Sequence, residues 1–146
     1  MPEDLWDDRL ARLAAMGLNT VEIYTFWNWH SPKEGVYDWS SPGRNLTNFL
    51  ELADSHGLDV LIRGIPYACG EWDNGGIPAW MMKYNFVNGT EIGDPSACPL
   101  EPEFPVSIRT NDSRYLGFVD AWLEELLGKL KSEGHLYADG GNVIMV

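Results

Sequence analysis

The chain of 146 residues carries 22 acids against 10 bases, a net charge of −12, and is 45% hydrophobic. That length and composition suffice for one domain with a real core, while the acidity argues against nucleic acid or an anionic membrane surface as the main partner and favours a neutral one. No run of about 18 apolar residues exists, so no membrane span is expected, and Met1-Pro2-Glu3-Asp4 lacks the basic and apolar stretches of an export signal.

From Pro2 to Met16 the apolar residues Leu5, Trp6, Leu10, Leu13 and Ala14 recur at helical spacing, with acids in the first turn and Gly17 as the stop. Leu18 to Phe26 is β-branched and aromatic and predicts a strand. Trp27-Asn28-Trp29-His30-Ser31-Pro32 then reads as a loop at that strand's carboxyl end. A second helix is predicted over about Asn45 to Ser55, with Leu46, Phe49, Leu50 and Ala53 along one face and Gly57 behind it. Asp59 to Arg63 follows as a second strand, and Gly64 to Trp80, rich in glycine, proline and aromatics, as its loop.

Asn85 to Ser107 holds four prolines, three glutamates and two glycines and reads as an irregular insertion bordering the same loops or lying on the surface. Tyr115, Leu116, Val119, Trp122, Leu123, Leu126, Leu127 and Leu130 mark one long amphipathic helix. Gly140-Gly141 separates it from a third strand over Asn142 to Val146.

Met16-Gly17-Leu18-Asn19-Thr20-Val21 and His56-Gly57-Leu58-Asp59-Val60-Leu61 align at a spacing of 40 residues, a weak internal repeat of helix, glycine stop and strand. Such alternation implies an α/β fold with parallel strands. Three units read as a fragment of a (β/α)8 barrel, whose closed form takes roughly 200 residues or more. The expectation is one partial barrel domain over residues 1–146, with 85–107 as an insertion loop and both sheet edges open. Cys69 and Cys98 are candidates for pairing, which spacing alone does not test. Asn-x-Ser/Thr sites begin at Asn45, Asn88 and Asn111; they point toward the secretory pathway, which would require an amino terminus upstream of Met1.

Loops at the carboxyl ends of parallel strands are where α/β proteins hold ligands. Here they would carry Tyr24, Asn28, His30, Glu71 and Asp73 among Trp27, Trp29, Trp72 and Trp80. Flat rings cover the apolar face of a pyranose while acids and amides bind its hydroxyls, so a polyhydroxylated ligand fits. The alternative is that the tryptophans cap the core. Glu71, between Cys69 and Trp72, is either an acid catalyst with a pKa raised by a ring or an acceptor for a substrate or for Arg63. His30, Glu71 and Asp73 lack the spacing of a metal motif. No phosphate loop or nucleophile elbow is present, and no cofactor is expected.

Together these segments resemble the amino-terminal part of the catalytic barrel of glycoside hydrolase family 35, the β-galactosidases. The resemblance rests on Trp6-Asp7-Asp8-Arg9-Leu10, Gly17-Leu18-Asn19-Thr20-Val21-Glu22, Tyr24 with Phe26-Trp27-Asn28 and His30, Pro66-Tyr67, Cys69, Glu71-Trp72, Gly75-Gly76 with Pro78-Ala79-Trp80, and Arg109-Thr110. It implies hydrolysis of a terminal β-linked galactose with retention, using two glutamates about 5–5.5 Å apart. It further implies that Tyr24, Cys69, Gly70 and Glu71 contact the galactose, with Glu71 accepting from sugar hydroxyls. Both catalytic glutamates would stand beyond Val146, so the remaining barrel polypeptide completes the site. The alternatives are a non-catalytic galactose-binding module and a truncated gene product. Ser31, where the family has a glutamate, and Gly64-Ile65 depart from the family pattern.

Overall fold

The structure is a computed structural model that describes residues 1–87, 90, 91 and 106–146. Helix α1 (Trp6–Ala15) begins after a 3₁₀ turn over Glu3–Leu5. Asp7 and Asp8 stand in its first turn, where they complement the helix dipole, and Trp6 and Leu10 are its buried residues. Gly17, at φ +83°, takes the left-handed conformation that ends it. Strand β1 (Thr20–Tyr24) follows, and then α2 (Trp27–His30), where the sequence predicted only a loop.

Helix α3 (Leu46–Ser55) starts at Asn45, whose side-chain oxygen accepts the Asn48 N–H at 3.1 Å and satisfies one otherwise orphaned donor. Leu46, Leu50 and Ala53 turn inward, and Gly57 at φ +69° leads into β2 (Asp59–Arg63). Phe86–Val87 (β3) and Thr90–Glu91 (β4) pair antiparallel within the segment expected to be irregular. The rest of that segment up to 105, with Cys98 and the sequon at Asn88, lies outside the described residues.

Asp112 caps the 20-residue helix α4 (Ser113–Ser132) by accepting the Arg114 N–H at 2.9 Å. Its buried residues Tyr115, Val119, Trp122, Leu126 and Leu130 follow the helical period and form one face. Strand β5 (Val143–Met145) closes the described chain.

The sheet has the order β1-β2-β5 with both pairs parallel, so α3 and α4 are crossovers, as alternating units require. This is the α/β arrangement expected for part of a (β/α)8 barrel. In β2, Val60 and Ile62 are buried while Leu61 is half-buried and Arg63 exposed. Leu10, Leu50, Leu58, Trp122, Leu126 and Leu130 pack on the buried face. Glu22, Tyr24 and Arg63 stay exposed.

Asn142, 6% exposed, ties the third unit to the second. Its amide donates to the carbonyls of Leu50 at 3.0 Å and Leu58 at 3.2 Å, while its own carbonyl accepts the Val60 N–H at 2.7 Å. Gly141 makes this approach possible, because a Cβ there would overlap the backbone of His135.

Candidate functional site

The two rim loops leave adjacent strand ends. Tyr24 and Arg63 are partners in the β1/β2 register, and the Thr25 N–H donates to the Arg63 carbonyl at 3.1 Å. Because side chains alternate along a strand, Glu22 and Tyr24 share a face. Arg63 reaches both: Nη1 donates to the Tyr24 hydroxyl at 2.6 Å and pairs with Glu22 at 3.4 Å, and the guanidinium carbon lies 4.7 Å from the Tyr24 ring centroid. The Arg63 side chain thus bonds to Tyr24 and Glu22.

Beyond β2 the backbone is held in a tight loop. The Ala68 N–H donates to the Gly75 carbonyl at 2.7 Å, Trp72 to Cys69 at 3.1 Å and Gly75 to Trp72 at 2.9 Å. Cys69, Gly70 and Glu71 have φ of 60°, 49° and 50°, three successive residues in the left-handed region. For Cys69 and Glu71 this conformation costs about 1–2 kcal/mol each, and strain of that kind collects where a side chain must be aimed. A Cβ at Gly70 would lie 3.7 Å from the Tyr24 ring, so this turn sits against Tyr24. Glu71 is exposed and has no hydrogen-bond partner among the described residues.

The loops are also joined by their rings. Tyr24 stacks on Phe26 (centroids 5.2 Å apart, planes at 4°), and Phe26 on Trp72 (4.3 Å, 3°). Trp72 Nε1 donates to Asn28 Oδ1 at 2.8 Å, and Asn28 Nδ2 donates to the Asp73 carbonyl at 3.1 Å. Trp29 meets Trp72 edge-on, under the Arg44 guanidinium at 4.5 Å. A cavity of about 1000 Å³ opens beside β1, with Ile23, Tyr24, Phe26, Trp29 and Trp72 in its wall; Cys69, Gly70 and Glu71 stand outside that wall.

The four tryptophans read as a wall divide into two pairs. Trp29 and Trp72 are exposed at 38% and 39%, whereas Trp27 is 1% exposed, stacked on Trp122 and edge-on to Trp80. Trp80 is half-buried and donates from Nε1 to the Ser31 carbonyl at 3.0 Å. His30 is buried as well, 4.3 Å from Trp39 and bonded through Nδ1 to the Asp38 carbonyl at 3.1 Å, and it also borders the cavity beside β1. Among the described residues no group of three or more His, Cys, Asp or Glu is placed to hold a metal ion. The pairing of Arg63 with Tyr24 was missed in the sequence, although the two-residue alternation that aligns Glu22 with Tyr24 was available as a signal.

Burial lowers the His30 pKa from 6.5 to about 4. Hydrogen bonds from Ser41, Arg44 and the Ser40 amide hold the Asp38 carboxyl well below its usual range. Between pH 6.5 and 4 the unfolded chain binds the His30 proton and the folded chain does not, so stability present above pH 6.5 falls as pH drops. The full loss is about 3 kcal/mol. Asp38 acts in the same direction, since its stabilisation is also lost in acid. We expect the thermal midpoint of the intact protein to decline across this range and His30→Phe to flatten the decline, measured by circular dichroism at half-unit pH steps.

The family model described as "Glycosyl hydrolases family 35" matches residues 1–90. Over the whole chain, an exo-β-D-glucosaminidase of Pyrococcus horikoshii is 41% identical, with 19% of that protein covered. A β-galactosidase of Mus musculus is 36% identical with 19% covered, and β-galactosidase 17 of Arabidopsis thaliana is 39% identical with 18% covered. The chain thus spans about a fifth of the length of these curated relatives.

Proposed function

We propose a function for a chain that belongs to the glycosyl hydrolases of family 35: it supplies the sugar-binding rim of a catalytic barrel that removes terminal β-linked galactose with retention of configuration. The observation that carries this reading is the left-handed turn Cys69-Gly70-Glu71 set against the Tyr24 ring. In it, the Glu71 carboxylate accepts from sugar hydroxyls. The Tyr24 phenol makes a further polar contact, and Cys69 and Gly70, which stand outside the cavity beside β1, are read as further contacts to the sugar from the turn against Tyr24. An open carboxylate suits this role, because a charge-assisted bond to a hydroxyl is stronger than a neutral one.

Retention requires a nucleophilic carboxylate and a second one that protonates the leaving oxygen and then activates water. In this reading both glutamates come from polypeptide outside residues 1–146, and the reaction calls on no cofactor. A polypeptide of residues 1–146 alone is expected to release no phenol from an aryl β-galactoside. Saturable binding of galactose to it in calorimetry, without turnover, would favour a binding module.

The 41% identity to an exo-β-D-glucosaminidase supports a second reading, in which the sugar is a β-linked glucosamine. A surface of net charge −12 would attract a cationic amino sugar. The test is hydrolysis of aryl β-D-galactoside and aryl β-D-glucosaminide by the intact protein, with the anomer first released read by NMR. The galactosidase reading expects the galactoside to give the larger kcat/KM and the β-anomer to appear first. Preference for the glucosaminide installs the second reading, and inversion overturns the mechanism in both.

A further inference from the structure

We propose that Arg63 is the positioning residue of Tyr24, fixing its hydroxyl as a hydrogen-bond donor toward the bound sugar. This rests on the proposed role of Tyr24 as a sugar contact. A phenol oxygen can both donate and accept, and in water it rotates between the two. Guanidinium has no acceptor and keeps its charge at any working pH. With Arg63 Nη1 donating to the Tyr24 oxygen at 2.6 Å, the phenol proton must turn away from the guanidinium. The Tyr24 hydroxyl therefore meets a ligand as a donor, and the sugar atom before it must be an acceptor oxygen.

Three further contacts hold the arrangement. Parallel pairing puts Tyr24 and Arg63 in one register position at the end of their strands. Glu22, two residues before Tyr24 on the same face, anchors the guanidinium at 3.4 Å. Phe26 stacks on the Tyr24 ring, so the ring's plane as well as its hydroxyl is set. Arg63 touches the sugar in none of this; it acts through Tyr24.

A double-mutant cycle separates this role from a merely structural one. In the intact protein, Arg63→Gln is expected to lower kcat/KM on the preferred aryl glycoside about tenfold, the size of one lost hydrogen bond. In a Tyr24→Phe background, which has no hydroxyl to orient, the same change should alter it less than about twofold. Equal factors in the two backgrounds would mean that Arg63 acts on the fold, and an unchanged Arg63→Gln enzyme would mean that it does nothing to Tyr24; each result overturns the proposal. If Arg63→Gln does not fold, Arg63→Lys, which keeps the charge but not the fork, is read by the same criterion. A parent protein that cleaves neither aryl galactoside nor aryl glucosaminide overturns the proposed function and this inference with it. A parent that is active but shows additive effects overturns the inference alone.

Discussion

Glu71→Gln in the intact protein is expected to lower kcat/KM by about 10- to 100-fold, since each hydrogen bond to a charged group contributes roughly 1.5–3 kcal/mol. The thermal midpoint should not move. Glu71 is exposed and unpartnered among the described residues, and glutamine has nearly the same shape and the same backbone preference, so the fold loses nothing. Glu71→Gly separates binding from stability further. It removes the carboxylate and also relieves a non-glycine residue at φ 50°, for a net stabilisation of roughly 0.5–1 kcal/mol. Activity should fall as the melting midpoint rises, a sign that the turn is strained to aim this side chain. Steady-state kinetics and thermal melts on the two variants check both statements. Full activity in Glu71→Gln would remove Glu71 from the site.

Trp122→Ala is expected to destabilise the intact protein by about 3–5 kcal/mol in urea unfolding, the range for truncating a buried aromatic. Trp122 is fully buried at the centre of an aromatic cluster, with ring centroids of Trp27 at 6.1 Å, Trp39 at 5.9 Å and His30 at 6.4 Å. Its Nε1 also donates to the Gly64 carbonyl at 2.9 Å, at the root of the loop that carries Glu71. Trp122→Phe keeps most of the ring and loses that bond, leaving a carbonyl short of a donor at about 1–3 kcal/mol. The Gly64 backbone lies against the Leu126 side chain of α4, so the loop root is packed on the same helix that carries Trp122. Trp122→Phe should therefore weaken substrate binding as well as stability.

The regular elements were legible because their signals are local. Strand β2 was read over Asp59 to Arg63 and stands there, since four apolar or β-favouring residues lie between a glycine stop and a glycine-rich loop. Helical spacing marked α4 and the five residues it buries, but it also included Leu116 and Leu127, which stand exposed. Helix α2 was not, because four residues are too few to show a period, and what holds Trp27 inward is Trp122, 95 positions away in sequence. The same cause hid the burial of His30, whose ring lies against Trp39 and against Trp122, 92 positions away. At the site, Tyr24 and Glu71 were named through the family resemblance. The left-handed turn at Cys69 and Glu71 runs against the preferences of both residue types, so propensity could not point to it.

The Asn142 amide has a consequence for how the chain is made. Its two acceptors, the carbonyls of Leu50 and Leu58, precede it by 92 and 84 residues. A ribosome adding about 5–20 residues per second therefore emits the α3–β2 joint roughly 5–20 s before the side chain that completes it. During that interval the joint lacks the Asn142 amide, although the first two units can already pair through the β1/β2 ladder of Thr20–Tyr24 with Asp59–Arg63. Arrival of the third unit supplies the last tie to the second one, a long-range contact that the growing polypeptide makes late.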